Sequence, residues 1–248
     1  MTTVVFCHGM PGSEADANLL RQANLGTKVI ALGLLEINSA QVTPDLEALL
    51  DEALRHSNEK HVHLVGFSIG AMVAIRLAAM RPDIVSQLTL ISPAAPLSMG
   101  DFLPKMAGKP VFDLALKHPK WLRLLTRLQG LVVRVSPKAL IKMLFANCGT
   151  VEKELLNDPS FREVMIQGLS ASLVRRPENY ISYISAYVAD WSDILREVMC
   201  HVTLWHGTKD TWSPPEMSKK LQGAFGQKAT IHLVEDAEHY STLTRAKL

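Results

Sequence analysis

The chain alternates between short apolar runs and longer stretches with helical periodicity. Residues 4–7 (Val-Val-Phe-Cys) are continuously apolar and end at His8-Gly9. Runs of the same kind occupy residues 28–35, 62–67, 85–91, 202–206 and 230–234. Short runs rich in β-branched and aliphatic residues, closed by turn formers, predict buried strands. Between them, residues 44–56 place Leu46, Leu49, Leu50 and Leu54 on one helical face, with Thr43 positioned to cap the helix. Residues 69–80 read as a helix stopped at Arg81-Pro82. Strands that alternate with helices imply βαβ units, and right-handed crossovers put helices on both faces of the sheet. The expected class is α/β, with a mostly parallel sheet of about six strands.

After the fourth predicted strand the rhythm changes. Residues 121–128, 137–146, 161–173 and 177–191 are amphipathic, punctuated by proline and charge, and only residues 131–135 have strand character. The expected organisation is an α/β core over 1–92 and 199–248, with a helical insertion over 93–198.

The whole chain changes this picture little. Its 248 residues suffice for one buried core, and 48% hydrophobic with 20% charged residues is the balance of a soluble globular protein. A net charge of +2 gives no reason to expect a nucleic acid partner. Cys7, Cys148 and Cys200 are odd in number and lack metal-ligand spacing, so they are read as reduced thiols. No secretory leader pattern is visible, and no apolar run is long enough to span a bilayer as an integral membrane segment, so a cytoplasmic location is expected. No H-E-x-x-H pattern or carboxylate cluster suggests a metal, and no cofactor is expected.

The candidate chemistry lies at the ends of the predicted strands. Gly66-Phe67-Ser68-Ile69-Gly70 matches G-x-S-x-G, with a strand running in and a helix running out. That context holds a serine on a strained turn with its hydroxyl above the sheet. The flanking glycines are expected where a side chain would strike a neighbouring strand or helix. A serine hydroxyl needs a base. In G-x-S-x-G hydrolases the acid and then the histidine follow the serine in the chain. His239, in the loop after the last strand, fits the base, because His232 lies inside that strand. Asp210, closing the turn after the fifth strand, fits the acid, with Asp236 as competitor. Backbone N–H groups of Ile69 and, from the loop His8-Gly9-Met10-Pro11-Gly12, of Met10 are the expected oxyanion donors. His8, His206, His61 and His63 are read as structural.

VVFCHGMPG at 4–12, HLVGFSIGAM at 63–72, VTLWHGTKD at 202–210 and EDAEHYS at 235–241 together resemble the α/β-hydrolase superfamily, in its order and across nearly the whole chain. The resemblance implies a small serine hydrolase whose mid-chain helices form a lid. Dehalogenases and epoxide hydrolases of that superfamily would carry aspartate where this chain has Ser68. It also implies cleavage of a carboxylic ester or thioester through an acyl-enzyme on Ser68. The alternatives are a carbon–carbon bond hydrolase, a lyase, a cofactor-free peroxidase, or a small-molecule receptor with little turnover. The sequence departs from the family in three places. It starts at the strand before the HG loop, so the usual antiparallel edge is expected to be missing. Gly33-Leu34-Leu35-Glu36 stands where D-x-x-G-x-G is frequent, and Glu238 precedes the base where glycine is usual.

The expected partner is a small-molecule acyl substrate. Residues 101–142 carry nine basic residues against Asp101 and Asp113. The run is read as the solvated outer face of amphipathic helices. Attraction of an anionic acyl substrate, or weak contact of the basic lid with an anionic surface, are the sharper alternatives.

Overall fold

The structure, a computed structural model, describes residues 3–37, 44–57 and 59–248. Six strands form one sheet: β1 (Thr3–Cys7), β2 (Val29–Ala31), β3 (Val62–Phe67), β4 (Val85–Ile91), β5 (His201–Gly207) and β6 (Ala229–Val234), in the order β2-β1-β3-β4-β5-β6. Every pairing is parallel, as the alternation of strands and helices requires. From β1 the chain steps outward to β2, then returns past β1 to β3 and continues the other way. The order therefore reverses between β1 and β3. In open parallel sheets the crevice beyond the carboxyl ends of such strands is the place for a ligand. The loop after β1 and the turn at Ser68 both lie there.

The helices α1 (Ala17–Ala23), α2 (Pro44–Ser57) and α3 (Gly70–Met80) belong to the first crossovers, and α10 (Glu216–Phe225) links β5 to β6. Because β1 to β2 runs opposite to the later crossovers, right-handedness puts α1 on one face and α2, α3 and α10 on the other. The sheet is buried accordingly: Phe6, Leu64, Val65, Phe67, Leu90 and Leu204 are fully enclosed. Each such side chain contributes about 1.5–3 kcal/mol through removal from water.

Between β4 and β5 the described elements are helical: α4 (Lys109–Lys117), α5 (Pro119–Val135), α6 (Pro137–Leu144), α7 (Thr150–Leu155), α8 (Pro159–Ser170), a π-helical turn (Ala171–Arg175) and α9 (Pro177–Val188). The helices α5, α6, α8 and α9 each open on proline, whose fixed φ and missing N–H suit the first helical position. Residues 131–135, expected as the one strand-like run, are the last turns of α5. There Val133 continues the buried face of Leu122, Thr126 and Gly130, and helical periodicity overrides the preference of three valines for a strand. The run 28–35 is a strand only at Val29–Ala31. Leu34–Glu36 turns away so that the Leu34 carbonyl accepts from the Tyr183 hydroxyl at 2.9 Å. The capping residue expected at Thr43 lies outside the described residues.

Candidate active site

Ser68 follows β3 directly and has φ of 55°, a left-handed conformation that costs about 1–3 kcal/mol in a residue with a side chain. The surrounding backbone fixes it. Its N–H donates to the Ile91 carbonyl at 3.1 Å, and its own carbonyl accepts from the N–H groups of Ala71 and Ala94, each at 3.1 Å. The turn also needs its two glycines. A Cβ on Gly66 would sit 2.6 Å from the Ala71 Cα, and one on Gly70 would sit 2.3 Å from the carbonyl oxygens of Cys7 and His8. These contacts press α3 onto β3 and β1 and leave the Ser68 hydroxyl at the helix N-terminus, where free N–H groups and the dipole favour negative charge.

His239 opens the short helix α11 (His239–Leu243), after β6. Its Nδ1 donates to Asp210 Oδ2 at 2.8 Å, and both side chains are buried. Asp210 Oδ1 accepts from the N–H groups of Trp212 at 2.8 Å and Ser213 at 2.9 Å. Burial alone would push this carboxyl up. Electrostatic attraction from His239 and hydrogen bonds from His206 and His239 outweigh it and hold Asp210 well below the usual carboxylate range. Asp210 is thus an ionised acceptor that fixes one His239 tautomer and leaves Nε2 free to take a proton. The competitor Asp236 is exposed and pairs with Lys209 at 2.7 Å.

The His239 ring is clamped from two sides. Phe67 lies 4.8 Å away between ring centroids, and Trp212 is stacked at 5.5 Å with 15° between planes. Because Phe67 immediately precedes Ser68, the packing that holds the imidazole is continuous with the turn that holds the hydroxyl. Of the other histidines, His206 stands beside the pair, its Nε2 3.5 Å from Asp210 Oδ2. His206 bonds Ser218 and the Ser213 carbonyl, so it supports the Asp210 turn from below. His63 pairs with Thr89, His232 stacks on Trp205, and His61 is exposed. His8 is buried with Nδ1 bonded to the Gly9 carbonyl, and burial lowers its pKa.

Two carboxylates lock the His239 loop to the mid-chain helices: Glu238, marked in the sequence as a departure at the residue before the base, and Glu152, which the sequence reading did not single out. Buried Glu152 of α7 accepts from the N–H groups of Tyr240 at 2.6 Å and Ser241 at 3.0 Å, capping α11. In return Glu238 accepts from the Gly149 N–H at 2.8 Å, where α7 begins. Glu238 also forms a capping box with Ser241. Two facing helix N-termini are therefore each capped by the other's carboxylate. This accounts for an acidic residue at 238. The loop after β1 is tied down in a similar way: Ser172, in the π-helical turn, accepts from the Gly12 N–H at 3.0 Å and donates to the Gly12 carbonyl at 3.1 Å.

Met10, which precedes a cis proline, shares with Ser68 and Ile69 the wall of a cavity of about 370 Å³. Its size is at the lower end for small-molecule sites. Among the described residues no hydrogen bond occupies the N–H of Met10 or Ile69. Val111, Phe112, Leu140, Leu173, Tyr180 and Ile184 form much of the remaining wall, and Gln129, Asn147, Cys148 and Thr211 supply the polar points. No charged side chain lines it. The basic residues of 101–142 are on the outer surface instead. Cys148 accepts a hydrogen bond from the Trp212 indole, and burial pushes its thiol up to about 11, so it is a neutral wall residue. Among the described residues no group of His, Cys, Asp and Glu is placed to hold a metal.

A family model described as alpha/beta hydrolase fold matches residues 2–246. "Probable lysophospholipase BODYGUARD 2" of Arabidopsis thaliana is 25% identical over 95% of this chain, which spans 54% of that protein. The chain thus covers about half the length of its curated relatives. Among solved structures, a thermophilic esterase from Thermogutta terrifontis superposes with a TM-score of 0.61 at 19% identity, covering 99% of this chain and 85% of the other. An enol-lactonase from Burkholderia xenovorans LB400 superposes with a TM-score of 0.62 at 16% identity, covering 98% and 86%. At these identities the structural matches speak to fold.

Proposed function

Because the chain belongs to the alpha/beta hydrolase fold family, we propose that it is a serine hydrolase that cleaves a carboxylic ester or thioester through an acyl-enzyme on Ser68. The observation that carries this reading is the buried Asp210–His239 hydrogen bond of 2.8 Å, packed through Phe67 against the strained turn that bears Ser68. His239 Nε2 takes the Ser68 proton as Oγ attacks the acyl carbon, and then gives it to the leaving oxygen or sulfur. Ionised Asp210 holds the imidazole in the required tautomer and stabilises the imidazolium. The Met10 and Ile69 N–H groups receive the oxyanion, a contribution of about 3–4 kcal/mol per donor. Water deprotonated by the same base then attacks the acyl carbon, the bond to Ser68 Oγ breaks, and Oγ takes the proton back from His239 as the acid leaves. The uncharged, mainly apolar wall supports a neutral acyl group as substrate rather than an anionic one. We read the helices over 93–198 as the lid that closes this wall over a core of 1–92 and 199–248.

The test is steady-state and burst kinetics on a panel of neutral p-nitrophenyl esters and acyl thioesters. A burst of product equal to the enzyme concentration, lost in Ser68→Ala, is the expected result. Turnover of carbon–carbon substrates but of no ester would transfer the same triad to the alternative chemistry.

A further inference from the structure

The helix α5 has three faces. Leu122, Thr126, Gly130 and Val133 are buried. Trp121, Leu124, Leu128, Leu131 and Val135 recur at alternating steps of three and four residues, which at 3.6 residues per turn gather on one side. They are between 44% and 87% exposed, an unusual fate for a continuous apolar stripe. Beside that stripe, Lys120, Arg123, Arg127 and Arg134 form a parallel basic one, extended on α6 by Lys138 and Lys142. From Pro119 to Leu144 there is no acidic residue. Among the described residues only Arg123 of these six forms an ion pair, a loose one to Glu178 at 3.8 Å between exposed side chains.

We propose that this face of α5 and α6 is a docking surface for an anionic phospholipid bilayer. An in-plane helix buries its apolar side at the level of the acyl boundary while flanking Lys and Arg meet the headgroups, and Trp favours that depth. The charge pattern selects this occupant over a second copy of the chain. A symmetric dimer through α5 would set two unneutralised basic stripes side by side. The position of the cavity agrees. Leu125 and Gln129 of α5 line it, as does Met143 of α6, which is 60% exposed and so stands at its mouth. The apolar stripe thus runs along the rim of the cavity. Docking as proposed does not depend on the reaction at Ser68, and it is read without turnover.

The experiment is co-sedimentation of the whole protein with vesicles of equal parts phosphatidylglycerol and phosphatidylcholine, against vesicles of phosphatidylcholine alone, at low and high salt. Binding to the anionic vesicles, weakened by salt and absent from the neutral ones, is expected. The triple change Lys120→Gln, Arg127→Gln, Arg134→Gln should lower partitioning about a hundredfold, since each basic residue near such a surface is worth about fivefold. Leu124→Ser with Leu128→Ser should lower it as well, with unchanged thermal unfolding for both variants. A blue shift of the fluorescence on binding, lost in Trp121→Ala, would place the stripe at the membrane. Protein that stays in the supernatant, binds both vesicle types equally, or keeps its affinity in folded variants overturns the proposal. So does a dimer broken by the leucine changes, which would make the stripe a contact between copies.

Discussion

At the scale of single residues, the site rests on groups whose ionisation the fold has set in opposite directions. Asp210 is kept charged, and Asp210→Asn should leave the structure intact while allowing the wrong His239 tautomer. The expected loss in kcat is about 10⁴-fold with little change in KM. Asp16 is the contrary case. It is buried below the loop after β1, Oδ2 has no hydrogen-bond partner among the described residues, and burial raises its carboxyl from 3.8 to about 8. A folded-state pKa above the unfolded one gives stability that is complete below about pH 4 and lost as pH rises through about 8. The unfolding temperature should therefore fall across that window, and Asp16→Asn should flatten the curve. An unchanged slope in calorimetry would mean that Asp16 is already ionised in the native protein.

At the scale of elements, the turn at Ser68 was legible because everything it needs is local: a strand, two glycines and a helix within a short stretch. The central strands β1 and β3 were legible for the same reason, since fully buried parallel strands read as unbroken apolar runs, whereas the edge strand β6 has no fully buried residue and was marked by its β-branched and aliphatic residues alone. The supports of His239 were not. Glu152 reaches α11 across 88 residues of sequence, and Ser172 reaches Gly12 across 160. Nothing in α7 itself marks Glu152, since an acidic residue in a first turn is ordinary. Glu238 did carry a signal, as an acidic residue where glycine is usual, but its partner Gly149 could only be found in three dimensions. The helix α5 shows the opposite difficulty, because Leu131 to Val135 is strand-like by composition and helical by the face it buries. The α7–α11 lock can be tested directly. Glu152→Ala strands two N–H groups at the start of α11 and should cost about 3 kcal/mol in urea unfolding. Glu152→Gln, which keeps one acceptor, should cost less. Both should lower kcat more than they raise KM, because His239 begins the capped helix.

At the scale of the molecule, the reversal of strand order between β1 and β3 explains why the loop of Met10 and the turn of Ser68 meet over the sheet. Residues of the helices between β4 and β5 line the cavity there, and no charged side chain is among them. The strongly basic character of residues 101–142, visible in the sequence, does not reach the cavity. A neutral acyl ester should therefore be preferred over its carboxylate-bearing analogue. The ratio of their kcat/KM values should barely change with ionic strength, because no cation in the wall attracts the anion. A preference for the carboxylate that collapses in high salt would show that the basic surface does steer substrate.

The most direct measurement of the central claim is intact and peptide mass spectrometry after incubation with a fluorophosphonate, which reacts with a serine only when a neighbouring base activates it. The account predicts one adduct, on Ser68, absent in Ser68→Ala and strongly slowed in His239→Ala. Folded protein that stays unlabelled, or is labelled elsewhere, would contradict it.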